Sequence, residues 1–142
     1  VQINMALCLP RDELTIPVAR HICRHALDDL GVSDECTSDI EVALTEACAN
    51  VLKHSGGDEE YEVRLSVDNE VCVIRVVDTG QGFDASEVIK ADPTDESGRG
   101  LALIKALVDR VKFESKPEDG TVVHLEKRLE FHDDSVMRQL SD

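Results

Sequence analysis

The sequence predicts an α+β two-layer sandwich, with helices on one face of a mainly antiparallel sheet. Three observations predict it: two segments of helical apolar spacing early in the chain, two alternating strands joined by a short polar turn, and a third helical segment that leads into a second strand pair. Strands joined by short turns pair antiparallel, and helices grouped between them cover one side of such a sheet.

Each element has its own signature. Residues 1–9 alternate as a strand does until Pro10-Arg-Asp-Glu breaks the pattern. The first helix has Pro17 near its first turn, where proline is tolerated, and Gly31 as its stop. Along it Val18, Ile22, Ala26 and Leu30 form one apolar row and Ala19, Cys23 and Leu27 the next. His21 and His25 stand four apart without the H-E-x-x-H arrangement of a metal helix, so they read as a solvated face. A second helix begins between Ser33 and Ser38, where Ser, Asp and Thr can cap it, and stops at Gly56-Gly57. Its buried stripe is Ile40, Ala43, Leu44, Ala47, Cys48 and Val51. Tyr61 to Val67 and Val71 to Asp78 flank the Asp68-Asn69 turn as a hairpin. The polar, glycine-bearing stretch from Thr79 to Gly100 reads as a functional loop with a short helix near Ser86 to Lys90. A third helix follows on Leu101, Ile104, Leu107, Val108 and Val111, and strands Val111 to Ser115 and Thr121 to Arg128 flank Lys116-Pro-Glu-Asp-Gly120.

A chain of 142 residues holds one domain with a proper core, taken as residues 1–130, while 131–142 has little apolar content and is expected to be a frayed tail. With 42% hydrophobic and 32% charged residues the chain has the balance of a folded globule. No apolar run is long enough for a membrane span and no export signal opens the sequence, so a cytoplasmic protein is expected. The net charge of -15, from 30 acidic and 15 basic residues, argues against direct nucleic-acid binding, which needs a basic face, and favours a basic protein partner. Cysteines 8, 23, 36, 48 and 72 are odd in number and widely spaced, the pattern of reduced and mostly buried thiols.

Three segments carry candidate chemistry. Glu46 and Asn50 lie one helical turn apart at the edge of the apolar stripe of the second helix. There the amide oxygen can bind Mg²⁺ and the carboxylate can orient or deprotonate an attacking hydroxyl or water; taken alone, the pair also fits ordinary solvated helix residues. Asp78 ends an apolar strand row of Cys72, Ile74 and Val76 and opens Asp78-Thr-Gly-Gln-Gly82. A buried carboxylate needs a donor, of which an adenine amino group is one, and Gly80 and Gly82 let the backbone approach a ligand; a plain turn is the alternative. Gly98-Arg99-Gly100-Leu101 stands ahead of the third helix, where free N–H groups and the helix dipole suit phosphate, or simply a cap. No Lys-Ser/Thr follows, which excludes a Walker loop.

In this order, Glu46-Ala-Cys-Ala-Asn50, Asp78-Thr-Gly-Gln-Gly82, Gly98-Arg-Gly100 and Gly120-Thr121 resemble the asparagine box and the three glycine boxes of the Bergerat-fold (GHKL) ATPases. The short chain and Thr45-Glu-Ala-Cys-Ala-Asn-Val-Leu-Lys-His54 are similar to the bacterial anti-sigma factor serine kinases, the RsbW and SpoIIAB family. The resemblance implies an ATP-binding homodimer that holds a sigma factor away from RNA polymerase. It also implies that MgATP is used to phosphorylate a serine or threonine of a small anti-anti-sigma protein of the STAS type. By position, Glu46 would be the catalytic base or orienting carboxylate, Asn50 the Mg²⁺ ligand, and Asp78 the acceptor for the adenine amino group. Gly80 and Gly82 would shape the adenine pocket, Gly98, Arg99, Gly100 and Leu101 would line the phosphates, and Thr121 would sit near the base. The first helix would serve the homodimer or a partner. One departure stands out: relatives often place a basic residue before the second glycine box, whereas this chain has Asp95 and Glu96, with Arg99 its nearest cation. Two readings therefore stay open, a kinase, favoured by Glu46, and a nucleotide-dependent binding module with little or no transfer, favoured by the acidic pair. The catalytic half of a histidine kinase is disfavoured, because no phospho-acceptor helix pair precedes the domain in this sequence.

Overall fold

Alternation sets the sheet. In a computed structural model that describes residues 1–54, 60–78, 96–116 and 120–140 (backbone alone at 54, 96–101, 115–116 and 120), strand β1 (Ile3–Pro10) turns Ile3, Met5, Leu7 and Leu9 toward the core. Strand β2 (Glu60–Val67) buries Tyr61, Val63, Leu65 and Val67, and β3 (Val71–Asp78) buries Cys72, Ile74, Val76 and Asp78. The turn between them is held by Asp68, whose Oδ1 accepts from the N–H groups of Glu70 and Val71, each at 2.7 Å. Strands β4 (Arg110–Lys116) and β5 (Gly120–Arg128) complete an all-antiparallel sheet of order β1-β2-β3-β5-β4.

Helices α1 (Ile16–Asp29), α2 (Asp34–His54) and α3 (Glu96–Leu107) cover one face. On α2 the buried positions are Cys36, Ile40, Ala43, Leu44, Ala47, Cys48 and Val51, a stripe of the 3–4 spacing that lets one side of a helix rest on strands. Helix α1 buries only Ile16, Ala19, Cys23 and Leu27. Its other apolar row departs from the expected burial: Val18 is 45% exposed and Ile22 37%, because among the described residues α1 packs chiefly on α2. Among the described residues no helix is long and apolar enough to cross a membrane. The loop expected from Thr79, with its short helix near Ser86 to Lys90, lies outside the described residues as far as 95.

Helix α2 runs along β5. Near its start, Asp39 meets Lys127 Nζ at 3.1 Å, and the same ammonium donates to the carbonyl of Leu107 at the end of α3, 2.8 Å away. A cation on the last carbonyls of a helix satisfies its unpaired acceptors and its dipole. Packed on α2 with its C-terminus fixed at the Asp39 end, α3 directs its N-terminus toward the Asn50 end.

The chain after β5 differs from the frayed tail expected. Phe131 bridges Val32, the Ser33 N–H donates to the Glu130 carbonyl at 2.7 Å, and the His132 N–H donates to the Gly31 carbonyl at 2.8 Å. Ser135 then caps the one-turn helix α4 (Val136–Gln139), and Met137 is 1% exposed. Few apolar residues are needed, since backbone pairing supplies most of the attachment. Gly31 takes φ +82°, and a Cβ there would lie 2.5 Å from Ser135 Cβ. Gly31→Ala combines left-handed strain with overpacking, so a stability loss of about 2–4 kcal/mol is expected from urea unfolding. An unchanged midpoint would refute the clip as a stabilising contact.

Candidate nucleotide site

The four candidate side chains that the structure describes come from three elements, β3, β5 and α2. Asp78, the last residue of β3, pairs in register with Thr121 of β5, and both are 0% exposed. On α2, Asn50 is 4% exposed and Glu46, one turn earlier, is half-buried. Ala47 and Cys48 between them face the core, so the helix sets the amide and the carboxylate along the rim of its buried stripe.

Asn50 carries the sharper signal of the two. Its Oδ1 is buried and has no hydrogen-bond partner among the described residues. Such an atom is costly unless a donor or a cation reaches it. Among the described residues no three His, Cys, Asp or Glu side chains cluster closely enough to hold a metal. A cation at Asn50 would thus need further oxygens from a ligand, as Mg²⁺ does when phosphates complete its shell.

Arg11 gathers the site at one end of the sheet. Its Nε lies 2.8 Å from Asp78 Oδ2, as an ion pair rather than an aligned hydrogen bond, and its Nη2 donates to the carbonyl of Leu52, two residues beyond Asn50, at 2.8 Å. The Arg11 backbone is itself held by a tight turn. The Asp12 N–H donates to the Pro10 carbonyl and the Thr15 N–H to the Asp12 carbonyl, while Thr15 Oγ1 shares a hydrogen bond of 2.8 Å with the Tyr61 hydroxyl. Burial pushes the Tyr61 phenol up to about 12, with the Thr15 contact pulling the other way, so it stays a neutral anchor. Sequence patterning gives no sign of Arg11: a single cation after a strand has no period, and its partner lies 67 positions away in the chain.

Residues 98–101 differ from expectation in one respect. Gly98, Arg99, Gly100 and Leu101 lie inside α3, which starts at Glu96, rather than ahead of it. An acidic residue in a first turn suits the helix dipole and lets the helix begin earlier. The first-turn N–H groups, Gly98 among them, still lack partners within the helix. Gly80 and Gly82 lie outside the described residues, as do Asp95 and the side chains of Glu96 and Arg99.

Four of the five thiols are shut away from solvent. All five cysteines are free, and Cys23, Cys36, Cys48 and Cys72 are buried. Burial pushes the Cys23 thiol up to about 11 and those of Cys48 and Cys72 higher still, which keeps them un-ionised and unreactive.

Residues 9–127 match the family model of the histidine kinase-like ATPase domain. The serine-protein kinase RsbW of Halalkalibacterium halodurans is 31% identical over 138 residues, covering 83% of this chain and 83% of that protein. The anti-sigma F factor of Pasteuria penetrans is 29% identical over 103 residues, 66% of this chain and 69% of that one. Among solved structures, the RsbU and RsbW domains of a Mycobacterium tuberculosis protein superpose with a TM-score of 0.69 at 20% identity, over 89% of this chain and 32% of the longer one.

Proposed function

The chain belongs to the histidine kinase-like ATPase domain family, and from that premise we propose that it is a cytoplasmic, homodimeric anti-sigma factor that phosphorylates a serine or threonine of its anti-anti-sigma antagonist with ATP. The observation that carries the reading is the convergence, at one end of the sheet, of a buried carboxylate at Asp78 and a buried amide oxygen at Asn50 that has no hydrogen-bond partner among the described residues, with a half-buried carboxylate one turn away at Glu46. RsbW proteins and anti-sigma F factors are its relatives by sequence, which supports both halves of the proposal.

Each residue then has a task. Asp78 accepts from the adenine amino group, next to Thr121, in a pocket shaped by Gly80 and Gly82. Asn50 Oδ1 would hold Mg²⁺, which when bound offsets the charge of the phosphates. First-turn N–H groups of α3, Gly98 among them, face the phosphates, with Arg99, Gly100 and Leu101 on the turn that follows. Glu46 orients the protein hydroxyl and takes its proton as the serine or threonine oxygen bonds to the γ-phosphorus. The bond from that phosphorus to the β–γ bridging oxygen breaks, and ADP leaves. Phosphoryl transfer depends mainly on positioning and charge stabilisation, so this small set of groups suffices.

The test is incubation of the dimer with γ-labelled ATP, Mg²⁺ and STAS-type proteins from the same genome. Label on a serine or threonine of one of them is expected. If nucleotide binds while no such protein is ever labelled, the acidic pair Asp95 and Glu96 gains weight and the chain is a nucleotide-dependent binding module instead.

A further inference from the structure

The Arg11 guanidinium touches both halves of the nucleotide site. Through Nε it meets Asp78 Oδ2 at the end of β3, and through Nη2 it holds the Leu52 carbonyl on the last turns of α2. Asp78 is fully buried and Arg11 is 14% exposed, so the pair is shielded from water and its geometry matters more than that of a surface ion pair. The turn that carries Arg11 is fastened by Asp12, Thr15 and Tyr61, which leaves the guanidinium little freedom.

We propose that Arg11 is a positioning residue for base recognition: it fixes the plane of the Asp78 carboxylate and holds that carboxylate in register with the Asn50 turn of α2. The inference rests on the nucleotide-site reading given above. A carboxylate held as an anion only accepts hydrogen bonds, which suits the 6-amino group of adenine and opposes the 6-oxo group of hypoxanthine. Without the guanidinium beside it, the carboxylate is less firmly aligned on the 6-amino group, so the advantage that adenine draws from a fixed acceptor, and with it discrimination between the two bases, should shrink. Arg11 acts through Asp78 and is not assigned any contact with the nucleotide.

Binding of ATP and of ITP to the full chain, measured by calorimetry in Mg²⁺ buffer, separates the possibilities. For the parent protein a clear preference for ATP is expected, and Asp78→Asn should abolish it. Arg11→Met should weaken ATP by about tenfold to a hundredfold while weakening ITP much less, so that the ATP:ITP ratio falls by about tenfold. Arg11→Lys, which keeps a cation but cannot span both partners with a planar fork, should fall between the two. It also carries the test if Arg11→Met does not fold. Equal loss of ATP and ITP in the Arg11 variants would overturn the positioning role and leave a structural one. An unchanged ratio with unchanged affinity would overturn it as well, while the Asp78 reading stands on its own variant. Absence of any ATP preference in the parent protein defeats the nucleotide-site reading, and this inference with it.

Discussion

Asparagine in place of Asp78 is expected to lower ATP affinity about a hundredfold, by exchanging a buried charged acceptor for a neutral amide that presents a donor as readily as an acceptor. The substitution is nearly isosteric, so β3 and its pairing with Thr121 should persist. What changes is the charge opposite Arg11, which loses the Asp78 carboxylate while 14% exposed. Breaking a buried pair on one side costs about 3 kcal/mol or more of stability, so the binding measurement must be made on material shown to be folded by circular dichroism. A folded Asp78→Asn variant that binds ATP as tightly as the parent protein would sink the adenine assignment.

Glu46→Gln should separate chemistry from binding. The half-buried carboxylate sits one turn before Asn50 on a helix whose packing at Ala47 and Cys48 is independent of it. ATP affinity should therefore hold within about twofold, while phosphate transfer to the protein substrate falls about 10²- to 10⁴-fold, the range for loss of a general base. Single-turnover labelling measures the second quantity and calorimetry the first. Equal transfer rates would remove Glu46 from the mechanism. A joint loss of both would mean that the carboxylate supports the fold of the site and not the reaction.

The parts of this molecule legible in the sequence are those where local pattern and burial coincide. The stripe Ile40, Ala43, Leu44, Ala47, Cys48, Val51 reads as a buried helix face and is one, because a helix laid along a sheet buries one continuous side. The strand rows of β2 and β3 were equally plain, Asp78 included, since alternation has a period of two and no competing register. Helix α1 was harder. Two adjacent apolar rows compete for the inside, and only the position of α2 decides that Ala19, Cys23 and Leu27 win over Val18 and Ile22. Among the candidate site residues, Glu46 and Asn50 stood out as polar groups at the edge of an apolar stripe. Arg11 did not, because its partners are distant in sequence and an ion pair leaves no periodic trace. The closing segment escaped for a related reason: it is held by backbone groups, a cap serine and one methionine, none of which shifts the composition of a polar stretch.

That closing segment also bears on the order in which the protein is completed. The corner between α1 and α2 is built from residues 30–33, yet its cover comes from Glu130, Phe131, His132, Ser135 and Met137, synthesised roughly a hundred residues later. While the chain grows on a ribosome, Val32 and the end of α1 wait uncovered until the last strand has emerged. The sheet follows the same rule, since β3 acquires its neighbour β5 only after β4 has been made. The segment that carries Glu46 and Asn50 thus leaves the ribosome before the strands and the closing segment that seal it.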